Sequence, residues 1–343
     1  MSELQEILEI FEVIMQSMMY MLLPITIANA IGYKKEEEAP PTPPPEEVWY
    51  EVTIDNSANS NNLTEYQILL EVNNDEQFFN DFNNDQIKIE VYDEDKSTLI
   101  PFYIEEWDTI NKNAKIWIKI PSIPANSIKK VYLKYNPDRT ESLSNPYNVF
   151  NWFDNFENYS LGNLVGQDGW IQFKTNGSAK VVDSDKYEGS QSARCFHDGT
   201  TDNKAAEHSL PLTSNFKLLL RWKLKDRGYS TSSDAQIRLF NNDTLIIQIG
   251  HSDNTKNTFF YKYAGNDYWT SKTLNLNEWY LFKILVDSSG LKWIVNNEQL
   301  VNISENVMNR FVIYADEGCE MYVDLIMLCK YSSPEPSVSY SKL

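Results

Sequence analysis

The chain has 343 residues, 42% of them hydrophobic and 13% aromatic, enough apolar material for two sizeable cores and too much for a disordered chain. A formal net charge of −19 without any basic stripe excludes a nucleic-acid binder, which needs clustered Lys and Arg to displace phosphate counterions. Three cysteines, Cys195, Cys319 and Cys329, exclude a disulfide scaffold and predict buried free thiols, a Cys319–Cys329 bridge staying open if the segment between them turns back.

Residues 1–33 read as one hydrophobic helix in two halves. In the first, Leu4, Ile7, Phe11, Ile14 and Met18 recur at alternating spacings of three and four, a heptad seam with glutamates outside it. From Ser17 to Tyr33 there is no charge and every face is apolar, with a kink expected at Pro24. Such a surface must be covered, and two covers stay open: a membrane anchor, or a bundle of like helices in a homo-oligomer. A cleaved signal peptide fits less well, because the run opens on glutamates where a positive region is needed. Residues 34–47, KKEEEAPPTPPPEE, can neither continue a helix nor join a sheet, and predict an extended, solvated stalk.

From residue 48 the hydrophobic period switches to two. VWYEVTIDN puts Val48, Tyr50, Val52 and Ile54 on one face, EYQILLEVN does the same, and QIKIEVY, TLIPFYIEEW, NAKIWIKI and SIKKVYLKY continue the pattern to residue 137. Six strands with polar turns between them predict a small β-sandwich over 48–137. WYEVTIDNSANSNNLTEYQILLEV, LIPFYIEEW and AKIWIKIPSIPANSIKKVYLKYN resemble an uncharacterised β-sandwich domain of archaeal and bacterial surface proteins, which opens on an aromatic-rich strand ending in Asn and closes on an Asn-Pro turn, here Asn136-Pro137. The resemblance implies an immunoglobulin-like sandwich and a surface setting. That family has no established activity, so it implies no chemistry.

Residues 138–148 read as a linker, 149–331 as a second and larger β domain with some dozen strand candidates, and 332–343 as a tail. NEWYLFKILVDSSGLKWIVNNEQL and YVDLIMLCKY resemble paired and closing strands of concanavalin/laminin-G-like jelly rolls, except that Asn297 stands where those proteins carry a turn glycine. The fold class expected is therefore mainly β, two β-sandwich domains behind an N-terminal hydrophobic α-helix.

Catalytic signatures are missing. Concanavalin-like glycosidases carry carboxylates two and four apart on one strand, where period two brings them to one face; no such run stands here. His197, His208 and His251 have neither a nucleophile elbow nor metal spacing around them. The expectation is a protein that is not an enzyme, with a carbohydrate-active hydrolase as the competing class. Asp154, Glu157 and Asp324 fall on the first and last strands of the larger domain, where hard carboxylate oxygens could hold a structural Ca²⁺; the alternative is ordinary turn and edge carboxylates. Trp222, Tyr261, Tyr263, Tyr268 and Trp269 are candidates for a platform that stacks sugar rings, against the alternative of plain core packing. Asn62, Asn158, Asn176, Asn242 and Asn302 stand in glycosylation sequons. These readings converge on a surface-displayed structural or adhesion protein, a virion spike or an archaeal surface appendage on the cell envelope. Its expected partners are copies of itself, membrane or virion shell proteins, and surface glycans.

Overall fold

In the computed structural model the described residues are 47–173, 179–197 and 204–343, together with Glu12 and Met15, both helical and exposed. The seam Leu4, Ile7, Phe11, Ile14 and Met18, the apolar run after it and the stalk before residue 47 lie outside the described residues. Among those described, no helix is long and apolar enough to cross a membrane. The chain divides into two compact units, Met1–Glu46 and Glu47–Leu343, and the second holds the β structure.

The first sandwich opens with β1 (Trp49–Asp55), β2 (Leu63–Val72), a short helix α1 (Glu76–Asp81), β3 (Ile89–Tyr92), β4 (Phe102–Asp108), β5 (Asn113–Ile123) and β6 (Ile128–Tyr135). Alternation drives it: Tyr50, Val52 and Ile54 are buried while Glu51 and Thr53 between them are not. Two sheets form, β1 with β6 and β3 in one, β2 with β5 and β4 in the other. Helix α1 starts where Asp75 accepts the Phe78 N–H at 2.9 Å, an N-cap, and it delivers Phe78 and Phe79 into the core beside Phe82, all three fully buried.

After β6 comes a one-turn helix α2 (Pro146–Val149), capped by Asn145. The stretch expected as a linker thus ends in ordered structure, because Val149 and the following Phe150 are buried. The larger sandwich then runs through β7 (Trp152–Asp154), β8 (Gly162–Asn163), β9 (Ile171–Gln172), β10 (Lys180–Val182), β11 (Ser192–Phe196), β12 (Lys204–Ser209), β13 (Phe216–Arg227), β14 (Asp234–Asn241), β15 (Thr244–Ser252), β16 (Thr258–Tyr263), β17 (Asn266–Thr273), β18 (Trp279–Asp287), β19 (Gly290–Val295), β20 (Glu298–Ile303), β21 (Arg310–Ala315) and β22 (Cys319–Lys330). A nine-stranded sheet follows the order β20-β19-β18-β13-β22-β11-β10-β8, with β7 also on β22; a seven-stranded sheet follows β17-β16-β15-β14-β21-β12-β9. One apolar core fills the space between them. The β19–β20 turn needs no glycine, since Asn296 and Asn297 both take positive φ, +47° and +68°, which asparagine tolerates.

The segment 332–343, expected as a tail, is not one. It carries β23 (Ser337–Lys342), which pairs antiparallel with β1 from Asp55↔Ser337 to Tyr50↔Lys342. The larger sandwich is therefore inserted into the smaller one. The outer face of the β2-β5-β4 sheet packs against the outer face of the nine-stranded sheet, with Trp117, Leu69 and Tyr103 meeting Leu219, Leu281 and Met327. Gln67 clasps this junction: its Nε2 donates to the Val149 carbonyl at 2.8 Å and its Oε1 accepts the Lys330 N–H at 2.9 Å. All three cysteines are free and buried. Cys319 and Cys329 stand at opposite ends of β22, roughly 30 Å apart at the rise of a strand, so they cannot bridge.

Candidate functional site

The outer face of the seven-stranded sheet gathers polar and aromatic side chains. On β14, Ala235, Ile237 and Leu239 enter the core, so Asp234, Gln236, Arg238 and Phe240 point the other way. Strand pairing then lines up one row straight across five neighbouring strands and onto a sixth: Trp269, Phe260, Gly250, Gln236, Tyr314, Ala205. A second row, one pleat away, reads Asp267, Lys262, Gln248, Arg238, Val312, Glu207.

Gly250 makes a gap in the first row. Its φ is +140°, and a Cβ there would lie 2.4 Å from the Ala235 carbonyl oxygen, so no side chain can stand between Phe260 and Gln236. At the gap Gln236 is fully buried and its Nε2 has no hydrogen-bond partner, while its Oε1 accepts Arg238 Nε at 2.9 Å. A buried amide with a free donor carries a desolvation cost that a ligand oxygen would relieve. The Arg238 guanidinium lies 3.3 Å from the centre of the Tyr314 ring and reaches Asp234 at 3.1 Å. Asp316 completes the group, accepting the Tyr314 hydroxyl at 2.7 Å and the Asp234 N–H at 2.7 Å. Burial pushes Asp234 up to about 6 against the pull of Arg238, and it raises Asp316 as well. At the edge of the row Trp269 is 42% exposed over the buried Phe260, ring centres 5.5 Å apart. The arrangement exposes a flat apolar ring at one end, and further along it holds a buried amide and guanidinium beside two half-buried carboxylates, a set whose chemistry suits a ligand with apolar CH faces and hydroxyls around its rim.

Of the residues expected to form an aromatic platform, the structure brings only Trp269 to this face. Trp222 has no exposure and stacks on Phe282 in the core at 5.0 Å, so it presents no free ring. Tyr261 and Tyr268 stack on each other at 4.7 Å on the opposite side of the β16–β17 hairpin, and Tyr263 shares that side by alternation. Gln236, Arg238, Tyr314, Asp234 and Asp316 were not singled out from sequence. For Asp234, Gln236 and Arg238 the signal was the polar set at positions two apart in DAQIRLF, which on its own reads as a solvated face; Tyr314 and Asp316 stand two apart in RFVIYAD.

Asp154, Glu157 and Asp324 are each taken up by protein donors. Asp154 accepts Trp170 Nε1 at 2.7 Å, the Tyr159 hydroxyl at 2.8 Å and the Phe156 N–H at 2.9 Å. Glu157 accepts the N–H groups of Ser190 and Gln191 at 2.8 and 2.9 Å, and Asp324 accepts those of Tyr187, Glu188 and Leu325. They latch loops onto strands. Among the described residues no group of three or more metal-ligating side chains converges. Sequon residues Asn62, Asn158, Asn242 and Asn302 are exposed, and Asn176 lies outside the described residues.

Residues 85–173 match a family described as a domain of unknown function (DUF2341), a match that starts in the small sandwich and crosses the junction into the larger one. No curated protein matches the sequence. Among solved structures, the cellulose-induced protein Cip1 is similar over 52% of this chain and 96% of its own, with a TM-score of 0.42 and 11% identity. An apo Crh5 transglycosylase is similar over 53% and 85%, with 0.40 and 11%. Trypanosoma rangeli sialidase with the inhibitor DANA is similar over 48% and 30%, with 0.34 and 13%. At these distances no activity, ligand or residue role is carried over.

Proposed function

We propose that residues 47–343 are the displayed head of a non-enzymatic structural or adhesion protein, and that the head binds carbohydrate on the outer face of its seven-stranded sheet. The observation that carries this reading is the row Trp269, Phe260, Gly250, Gln236, Tyr314, with a notch at Gly250 and an unpartnered buried amide beside it. The display half of the proposal rests on sequence: a heptad seam, a charge-free helix and a Pro-rich stalk over residues 1–47, arranged as in a virion spike or a cell-envelope appendage, with the finer architecture an immunoglobulin-like sandwich carrying a concanavalin-like one. A panel of soluble oligosaccharides titrated into the full-length protein tests it. Saturable binding that weakens in Gln236→Ala and Trp269→Ala is expected; no binding to any glycan, or binding indifferent to both changes, overturns it.

A hydrolase is the second reading, favoured by one feature. Asp234, raised to about 6, lies beside Asp316 on the same face, and a carboxyl whose pKa is raised toward neutrality can act as a general acid. Release of reducing ends that disappears in Asp234→Asn would select this reading over adhesion.

A further inference from the structure

We propose that the cleft between the two sandwiches is a second binding site, one for a small organic carboxylate with an apolar or ring-shaped body. The cleft has a volume of about 480 Å³, in the range of small-molecule sites. Its walls come from β2, β4 and β5 on one side and from β13, β18 and β22 on the other, so it exists only because the larger sandwich is docked on the smaller.

Charge accounting singles out one group. Of the cations that line the cleft, Lys115 pairs with Glu106, Lys217 with Glu335, and Arg221 with Glu105 at 3.4 Å. The second Glu105 oxygen is taken by Trp117 Nε1 at 2.7 Å. Glu71 is exposed at the rim. Lys283 is left without an ion-pair partner among the described residues, half-buried on the face that carries Leu219 and Met327. Burial and the neighbouring Lys217 hold its ammonium below the usual lysine range, against the weaker pull of Glu335 and Glu71, so an incoming negative charge would be favoured there. Arg221 adds a buried Nε–H with no acceptor. One unpaired ammonium matches one carboxylate; a phosphate dianion would bring a surplus charge toward Glu105 and Glu335.

The rest of the lining fits the body of such a ligand. Leu69, Trp117, Leu219, Leu281 and Met327 give an apolar floor. At the mouth, Asn296 spends its Oδ1 on the Leu281 N–H at 2.9 Å, which leaves its Nδ2 donor and the amide of Asn297 for ring hydroxyls.

The test uses full-length protein and three probes, D-glucuronate, D-glucose and inorganic phosphate, titrated by calorimetry. Glucuronate is expected to bind, with glucose and phosphate weaker by about ten-fold or more, the value of one charge-assisted hydrogen bond. Lys283→Met is expected to lose that preference, and Arg238→Ala, on the far sheet, to keep it. Lys283→Gln serves as a second variant that retains a polar head group, and melting curves of both variants no lower than that of the parent show intact folding. Absence of glucuronate binding, equal binding of phosphate, indifference to Lys283, or loss in Arg238→Ala alone each overturns the proposal. The last result would place the acid on the outer face described above, so the two sites fail separately.

Discussion

Val52 and Tyr340 lie directly opposite each other on neighbouring strands, one in β1 and the other three residues from the last residue, Leu343. The Tyr340 ring packs 5.7 Å from Phe78 and 6.1 Å from Tyr50, and its hydroxyl donates to Asp75 at 2.8 Å. The small sandwich is closed only after the larger one has been traversed.

Ending the chain after Pro336 is therefore expected to leave β1 with an open edge and to lower the melting temperature of the head. Tyr340→Ala alone should cost roughly 1–3 kcal/mol, the range for losing a part-buried ring and its hydrogen bond. Thermal melts and limited proteolysis check this; a truncated protein that melts with the parent refutes it.

Stability should fall as pH rises from about 5 to 7. Burial raises both Glu188 and Asp324 to about 7 in the folded state; the charge of Glu105 adds to the rise of Glu188, and that of Glu188 to the rise of Asp324. A carboxyl with a raised folded pKa binds its proton more tightly folded than unfolded, so its contribution is complete below the unfolded value and lost as pH climbs through the folded one. Glu188→Gln should match the parent at low pH, exceed it above neutrality, and flatten the curve. Melting temperatures from pH 4 to 8 read this out.

Core and face substitutions should separate. Trp222→Ala removes a fully buried ring and is expected to cost about 3–5 kcal/mol with loss of the larger sandwich. Trp269→Ala leaves the fold intact, because its ring is exposed, and weakens glycan binding by about ten-fold, the scale of one aromatic contact. Circular dichroism beside a binding titration distinguishes the two.

The N-terminal seam predicts assembly. Replacing Ile7, Phe11 and Ile14 by Ser in the full-length protein should dissociate an oligomer while leaving the β signal unchanged, since the seam precedes in sequence every strand of the two sandwiches. Light scattering that finds the same mass before and after would count against a helical bundle and leave the membrane anchor.

The two sandwiches were legible because their strands alternate. Tyr50, Val52 and Ile54, or Phe282, Ile284 and Val286, announce one buried face by period alone. β23 was not, since PEPSVSYSKL offers only Val338 and Tyr340 to a core and owes its pairing to β1, a partner no local pattern can indicate. Trp222 and Trp269 look alike in sequence; which faces water depends on which sheet covers the strand. The outer-face row was hidden for a related reason, as Gln236, Tyr314 and Gly250 come together through ladders between distant segments. The carboxylates Asp154, Glu157 and Asp324 fit a cation site by residue type, but their donors are backbone N–H groups, side-chain hydroxyls and an indole N–H that only the folded loops supply.

Insertion of one sandwich into the other has a mechanical result. Tension applied to the larger sandwich reaches Glu47 through two chain crossings, the segment leading into α2 and the segment from Tyr331 to β23, with the Gln67 clasp and the apolar junction between them. A single tether would let the outer sandwich swivel freely about a bond. Two tethers must wind around each other for it to turn, so the 47–343 unit transmits torque as well as pull, and a load that twists the larger sandwich twists the smaller one with it.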